Sequence, residues 1–240
     1  MVGLTHPNLM VLSGAGLSAE SGVATFRAAH GLWEGHRIED VATPEAFRRD
    51  PALVQQFYNL RRAQLKSVQP NPAHQALAEL EQKWPGSFWH ITQNVDDLNE
   101  RAGAKKLLHM HGELKKVRCG WCKSVLPWTE DVHTDTDCPE CDHRGTLRPD
   151  IVWFGEMPYY IDEIMRALET VDIFICIGTS GVVYPAAGFV RLAAEKGCAR
   201  LIEVNLQPTG ISGQFTEQRQ GPSGIEIPKL VAELLLPYKI

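Results

Sequence analysis

Two groups of residues in this chain have the types and spacing that chemistry needs. Cys119-Gly120-Trp121-Cys122 and Cys138-Pro139-Glu140-Cys141 are Cys-x-x-Cys turns with fifteen residues between them. That spacing lets four thiolates surround one tetrahedral zinc ion. Four sulfurs leave no open coordination position, so the metal expected there is structural and does not activate water. The second group is a glycine-rich turn. Leu9-Met10-Val11-Leu12-Ser13 reads as a buried parallel strand, and it runs into Gly14-Ala15-Gly16-Leu17-Ser18. In a doubly wound fold this arrangement brings backbone N–H groups against a pyrophosphate, because glycine permits the turn and leaves no Cβ in the ligand's way.

The turn departs from the dehydrogenase fingerprint. Ala19 stands where the third glycine is usual, and no acidic residue closes a second strand about twenty residues on. A hydride-transferring dehydrogenase is therefore the weaker reading of this turn. Further candidates follow later strands: Gln93-Asn94-Val95-Asp96, the pair His109 and His111, Gly178-Thr179-Ser180, and Asn205. His109 and His111 lie two residues apart, and spacing does not choose between them. His133 and His143 lie near the cysteines but are not needed as ligands.

The elements that must position these residues alternate. Apolar strands are expected at Phe88 to Thr92, Lys106 to Gly112, Ile151 to Phe154, Asp172 to Ile177 and Leu201 to Val204. Thr43-Pro44 and Asp50-Pro51 are N-cap signals with proline at the first helical position, the second opening a helix from about Ala52 to Lys66. Further helices are expected over Ala73 to Lys83, Ile161 to Glu169, Ala186 to Lys196 and Pro228 to Leu236. The piece from Ala28 to Gly35 reads as a mobile loop. The pattern implies an α/β fold: a Rossmann-like, doubly wound parallel sheet with a small insert domain made of a zinc ribbon and helices. The polar residues named above then collect at the carboxyl ends of the strands, where such sheets bind ligands. One domain spans residues 1–240. Its cofactor-binding part is expected in 1–35, 73–115 and 147–240, and its small part in 36–72 and 116–146.

Composition agrees with an enzyme. The 240 residues are 44% hydrophobic and 22% charged, ordinary for a globular protein of a size that buries a good core. A net charge of −5 and the acidic residues Glu130, Asp131, Asp135 and Asp137 of the cysteine insert argue against nucleic acid as a partner. No apolar run approaches the roughly 20 residues of a membrane helix, and the first residues have no signal-like core. A cytoplasmic location and a monomer are the expectations. Cys176 and Cys198 read as ordinary core residues.

Taken together, the motifs resemble the sirtuins, a family of NAD-dependent protein-lysine deacylases. The run Gly-Ala-Gly-x-Ser-x-x-Ser-Gly-x-x-x-Phe-Arg from Gly14 to Arg27 is similar to the family's signature. Thr92-Gln93-Asn94-Val95-Asp96, His111-Gly112, the four cysteines and Arg148-Pro149-Asp150-Ile151-Val152-Trp153-Phe154-Gly155-Glu156 are similar to its later motifs, in the same order. The resemblance implies that NAD is a consumed co-substrate, and it chooses His111 over His109. It places NAD against Gly14, Ala15, Gly16, Ser18, Phe26, Arg27, Trp33, Gln93, Asn94, Val95, Asp96, Gly178, Thr179, Ser180, Val204, Asn205, Leu206 and Ser223. Asn94 and Asp96 would act at the nicotinamide and ribose end. His111 would be the general base on a ribose hydroxyl, a role suited to a group of ordinary pKa near 6.5. The partners implied are acylated lysines of proteins, and the products are nicotinamide, free lysine and O-acyl-ADP-ribose. Mono-ADP-ribosyl transfer is an alternative use of the same NAD cleavage.

Phe57-Tyr58-Asn59-Leu60-Arg61-Arg62 bears on the acyl group. At about 100° per residue, Leu53, Phe57 and Leu60 form the expected buried stripe. Arg61 falls about 40° from Phe57, at its edge, and Arg62 about 140° away, in solvent. By spacing alone Arg61 can be either a surface arginine or a carboxylate receptor inside a pocket. Tyr58 and Arg61 resemble the tyrosine–arginine pair of class III sirtuins, which remove succinyl and malonyl groups. Ala42 resembles the small residue of their wider acyl pocket, and Val182-Val183-Tyr184-Pro185 fits the same subclass. The implied enzyme removes succinyl, malonyl and also acetyl groups.

Overall fold

The computed structural model describes residues 6–24, 32–33, 35–181 and 183–236. Its centre is a six-stranded parallel sheet of β1 (Leu9–Ser13), β4 (Phe88–Thr92), β5 (Leu107–His109), β9 (Ile173–Ile177), β10 (Arg200–Asn205) and β11 (Glu217–Gln220). The spatial order is β11-β10-β9-β1-β4-β5. The chain winds outward from β1 through β4 to β5, then returns to the other side of β1 at β9. The order reverses between β1 and β9, which is where such a sheet opens a crevice for a ligand.

Alternation along β1 divides the core. Leu9 and Val11 face one layer, built from α5 (Pro72–Lys83) and α9 (Ser223–Leu235). Met10 and Leu12 face the other, built from α7 (Ile161–Leu168) and α8 (Phe189–Glu195). Because both faces are covered, the strands are near-continuous apolar runs, and that is why they were legible in the sequence.

A second sheet is antiparallel, with order β7-β6-β8: β6 (Gly112–Cys119), β7 (Val125–Pro127) and β8 (Leu147–Ile151). It corrects two expected strands. The segment from Lys106 to Gly112 is not one strand: β5 ends at His109, and Gly112 (φ 82°) turns the chain into β6. A Cβ at Gly112 would lie 2.0 Å from the Asp150 carbonyl oxygen, so only glycine fits beneath β8. Ile151 to Phe154 is not a core strand of the parallel sheet. Only Ile151 is in β8, and Trp153 turns away towards the helices.

Those helices are α2 (Ile38–Val41), α3 (Pro44–Arg49) and α4 (Pro51–Gln64), preceded by the short pair β2 (Leu32–Trp33) and β3 (His36–Arg37). Thr43 and Asp50 cap α3 and α4 by accepting from Ala46 N and Leu53 N at 3.0 Å each, with Pro44 and Pro51 following. α1 (Ala15–Ser18) follows β1, and α6 (Leu98–Arg101) follows β4. Two further differences have plain causes. β11 is a polar, charged edge strand with no apolar pattern to reveal it. α9 begins at Ser223, not Pro228. The proline costs one helical hydrogen bond, but the buried face of Ile227, Leu230, Val231, Leu234 and Leu235 holds the helix around it.

α4 reverses the expected burial. Leu60 is 64% exposed, whereas Arg62 is 2% exposed and Arg61 8%. The helical wheel placed Arg62 in solvent because it assumed one covered face. α4 has two, since the second sheet packs on its far side. Gln55 Nε2 donates to the Leu147 carbonyl at 2.7 Å, and Asn59 Nδ2 donates to the Val132 carbonyl at 2.9 Å. Arg62 Nε donates to the Leu114 carbonyl at 2.9 Å, while its Nη1 donates to Asn59 Oδ1 at 2.8 Å and the Glu130 carbonyl at 3.2 Å. Burial pulls the Arg62 pKa down, with Asp131 opposing it.

Arg62→Met removes these donors from buried acceptors. It should cost about 2–4 kcal/mol of stability and lower Tm by roughly 4–16 °C. Differential scanning calorimetry checks this, and an unchanged Tm would restore Arg62 to the surface role that the sequence suggested.

Candidate active site at the strand ends

The crevice between β1 and β9 is lined by backbone in close contact. Gly14 N and Gly16 N donate to the carbonyls of Ile177 and Gly178, both at 2.8 Å. A Cβ on Gly16 would lie 2.6 Å from Gly178 Cα. The glycines of this turn are thus required by β9 as well as suited to a ligand, and two of the N–H groups first assigned to an anion are spent on the sheet. Ala15, between them, is the first residue of α1.

The turn delivers Ser18 to the centre of the site. Its Oγ donates to Asp96 Oδ2 at 2.9 Å and accepts from Asn94 Nδ2 at 3.0 Å. His74, in the first turn of α5, completes the set. Its Nδ1 accepts the Asn71 N–H at 3.2 Å, in a capping box that also has Asn71 Oδ1 accepting from Ala73 N and His74 N. That fixes the proton on Nε2, 3.4 Å from Ser18 Oγ. One donor and two acceptor positions of the hydroxyl are then all used. Burial holds the His74 pKa down at about 4, with Glu100 opposing, so the ring is neutral at pH 7. Sequence reasoning missed His74. The signal was there, in an asparagine N-cap followed by proline with a histidine at the third helical position.

The loop after β4 carries the other groups. Asp96 is 4% exposed, and burial raises its pKa against the Leu98 N–H and Ser18 hydroxyl that bond it. Asn94 N donates to Thr92 Oγ1 at 3.1 Å. Gln93 Nε2 is buried and has no hydrogen-bond partner among the described residues. Val95 packs on the helical core, and its carbonyl accepts from Leu114 N at 2.8 Å. His111, just past β5, donates from Nδ1 to the Gln93 carbonyl at 3.2 Å, which leaves Nε2 as an acceptor. Burial lowers the His111 pKa, partly offset by that carbonyl, so this ring too is neutral near pH 7.

Across the crevice, Asn205 Nδ2 donates to the Thr179 carbonyl at 2.8 Å, and Asn205 Oδ1 accepts from Leu206 N at 3.0 Å. Ser180 and Leu206 are exposed. The Val204 side chain lies in the core, with its carbonyl taken by Gly178 N at 3.0 Å. Ser223, opening α9, donates to the Gly16 carbonyl at 3.3 Å and Glu20 Oε1 at 3.0 Å. Phe26, Arg27 and Val182 lie outside the described residues, as does the side chain of Trp33.

A further set gathers beneath α4. Ala42, Phe57, Tyr58 and Trp153 share one apolar cluster. Trp153 Nε1 donates to Tyr58 Oη at 2.9 Å, and burial pushes the Tyr58 pKa upward, so the phenol is neutral. The Arg61 guanidinium lies 4.7 Å over the Phe57 ring. Trp153 is held in turn by Arg148, whose guanidinium stacks 3.5 Å from its ring centre and binds Glu156 through Nη1 at 2.7 Å and Nη2 at 2.9 Å. Tyr184 is 76% exposed.

The four cysteines meet beyond β6. Cys119–Cys141 and Cys122–Cys138 sulfurs are each 3.8 Å apart, and all four lie within 4.8 Å of one another. A disulfide needs about 2.05 Å. Zn–S bonds of about 2.3 Å give a tetrahedron with edges of about 3.8 Å, so the cluster fits a structural zinc. His143 stacks on Trp121 at 4.2 Å and is no part of the sulfur set. Likewise the buried Gln93 amide, without a hydrogen-bond partner among the described residues, fits a polar ligand at the strand ends.

Comparison with known proteins bears on the chemistry. A model described as the Sir2 family matches residues 14–185. A protein of Bdellovibrio bacteriovorus named NAD-dependent protein deacylase is 58% identical over 230 residues, covering 95% of this chain and 97% of that one. One of the same name from Escherichia coli (strain K12) is 55% identical over 238 residues, covering 98% and 85%. The solved complex of a Sir2 homologue with NAD superposes with a TM-score of 0.88 at 39% identity, covering 98% of this chain and 91% of that one. Sir2 in complex with an inhibitor, 2′-O-acetyl-ADP-ribose and a deacetylated p53 peptide gives 0.78 at 29% identity, covering 95% and 93%.

Protein purified without chelator should contain one zinc per chain by elemental analysis. Stripping it should unfold the region around Cys119 to Cys141, because binding energy in such a site is folding energy. Amide exchange in that segment should accelerate when the metal is removed. Absence of zinc from unstripped protein would count against the site.

Proposed function

The chain belongs to the Sir2 family and is an NAD-dependent protein deacylase, and we propose that the groups it removes from lysine are chiefly acidic, succinyl and malonyl, with acetyl removed as well. The observation that carries this reading is Arg61. An arginine 8% exposed, its guanidinium 4.7 Å over the Phe57 ring of the cluster that holds Ala42, Tyr58 and Trp153, supports the reading of a carboxylate receptor at the end of an acyl chain. Tyr58 adds a neutral hydroxyl, and the small side chain of Ala42 leaves room.

The site residues divide the work. When bound, NAD would supply an electrophilic anomeric carbon with nicotinamide as its leaving group. Ser18, Asn94 and Asp96 form the hydrogen-bonded set that orients the nicotinamide and ribose end. Gln93 offers its buried amide to the same ligand. His111, neutral and with Nε2 unprotonated, takes the proton from a ribose hydroxyl. We read the parallel sheet and its layers, residues 1–35, 73–115 and 147–240, as the part that binds NAD. Residues 36–72 and 116–146 form the small part that contributes the acyl wall and the zinc. None of the described helices is long and apolar enough to cross a membrane, and we assign the reaction to the cytoplasm, on acylated lysines of proteins.

Incubation with NAD and matched acetyl-, succinyl- and malonyl-lysine peptides, read by mass, tests the reading. Loss of the acyl group supports deacylation, whereas gain of ADP-ribose on protein would replace it with ribosyl transfer. His111→Ala should lower turnover by about 10²–10⁴-fold while NAD still binds in calorimetry, and near-normal turnover would remove His111 from the mechanism. Arg61→Met should cost roughly 30- to several-thousand-fold in kcat/KM for succinyl-lysine and much less for acetyl-lysine. Equal losses on the two substrates would make Arg61 structural and end the acidic-acyl proposal.

A further inference from the structure

His109 has no role in the chemistry described so far, although its spacing made it a rival to His111. It ends β5, is 6% exposed, and uses both ring nitrogens. Nδ1 lies 2.9 Å from the Asn94 carbonyl oxygen and Nε2 2.7 Å from Glu100 Oε1. A main-chain carbonyl can only accept, so Nδ1 must carry a proton. The Nε2 contact then has two descriptions: an imidazolium facing a carboxylate, or a neutral ring accepting from a protonated carboxyl. The Glu100 side chain is 39% exposed, so water stabilises its carboxylate. An ordinary glutamic acid also gives up its proton about two pH units before an imidazolium does. The proton therefore belongs on the ring.

The consequence lies in what the two histidines hold. His111 Nδ1 donates to the Gln93 carbonyl, and His109 Nδ1 donates to the next carbonyl, that of Asn94. Residues two apart on one segment thus clamp successive peptides of the loop that carries Gln93, Asn94 and Asp96. We propose that His109 is a standing imidazolium and a positioning residue, which by donating from both nitrogens pins the Asn94 peptide to Glu100 of α6 and so fixes the loop that orients His111 and Asn94. The catalytic part of this statement rests on the deacylase reading above; the charge state does not.

The surroundings favour the charge. Besides Glu100 of α6, the carboxylates of Glu113 from β6 and Asp96 from the loop after β4 act on the ring. Lys116 holds Glu113 at 2.5 Å. His90 of β4 faces it as a neutral ring, its pKa depressed to about 3 by burial, then by the His109 charge and by His74. For His109 itself, burial lowers the pKa, but the Glu100 hydrogen bond and charge, the Asn94 carbonyl and Glu113 outweigh it, and the net direction is up. The charged form is therefore complete below the ordinary imidazole value and is lost as pH rises through the elevated pKa. Glu100, His109 and Glu113 also bring possible metal-ligand atoms within 4.8 Å of each other. With both ring nitrogens protonated, His109 has no lone pair for a cation, so the cluster is a charge clamp and not a metal site.

Long-range proton–nitrogen spectra of the full chain at pH 7.5 test this directly, with the His109 signals assigned by their loss in His109→Gln. The expected result is two protonated ring nitrogens on His109 and one on His111. In Glu100→Gln the ring should titrate at lower pH, and the alkaline fall of kcat should move down with it. His109→Gln, which can replace only one of the two bonds, should lose about 10- to 100-fold in kcat/KM with a near-normal Tm. An unprotonated nitrogen on wild-type His109 at pH 7.5, or identical kcat–pH profiles for wild type and Glu100→Gln, would overturn the proposal. The spectra need no substrate, so failure of the charge assignment leaves the deacylase reading standing. Absence of deacylation in every variant and in wild type would sink that reading and leave the charge assignment intact.

Discussion

At the carboxyl ends of β1 and β9 the two backbones approach more closely than any side chain allows. Gly16 N donates to the Gly178 carbonyl at 2.8 Å, and a Cβ on either glycine would fall 2.6 Å from the other's backbone. This contact sits at the reversal of strand order, so it fixes how the two halves of the sheet meet. It also sets the direction in which α1 leaves the sheet, and hence where Ser18 arrives. From Ser18 the hydrogen bonds run to Asp96, to Asn94 and, through His74, to the cap of α5. A single close approach thus aligns groups drawn from three separate parts of the chain.

The antiparallel sheet and the helices packed on it depend on a different principle. They have few apolar layers of their own, and α4 compensates by burying two sides, leaving the stripe of Ala52, Gln56, Leu60 and Ala63 exposed. One side gives Phe57 and Tyr58 to the apolar cluster with Ala42 and Trp153. Another gives Gln55, Asn59 and Arg62 to main-chain groups around the second sheet. Such bonds are directional, so they set the rotation of α4, and with it the direction in which Tyr58 and Arg61 project. The four-cysteine cluster closes the far end of the same sheet. The apolar cluster beneath α4 and the four cysteines are therefore linked through one helix and the sheet packed on it.

Charge is handled sparingly around the reacting groups. His74, His90 and His111 have their pKa values depressed, with burial the leading cause, whereas the His109 pKa is raised. The difference is the direct hydrogen bond to Glu100, which reaches water on one side and the ring on the other, with the Asn94 carbonyl and Glu113 acting in the same direction. In the roles proposed for them, His111 as general base has to be neutral before it acts, and His109 as a clamp is strongest when charged. Two histidines separated by one residue meet these opposite demands because one faces a carbonyl alone and the other a carbonyl and a carboxylate.

Much of this was legible in the sequence because the signals are local. The strands β1, β4, β9 and β10 are apolar runs, since a doubly covered parallel strand must be apolar on both faces. The caps Thr43-Pro44 and Asp50-Pro51 act within one turn, and two Cys-x-x-Cys turns suffice to specify four sulfurs. Ser18, Asn94, Asp96 and His111 are named by resemblance to the sirtuin motifs, and the fold joins the first three in one hydrogen-bonded set. Tertiary structure alone decided the rest. A helical wheel assumes one covered face, so it put Leu60 inside and Arg62 outside; the second sheet, packed on the other side of α4, reversed them. β11 has no apolar signal because an edge strand is specified by its neighbour's backbone. The kink that ends β5 needs the Asp150 carbonyl, and the charge on His109 needs Glu100. In each case the deciding atom comes from an element that packs against the residue in space, and side-chain periodicity carries no record of which element that will be.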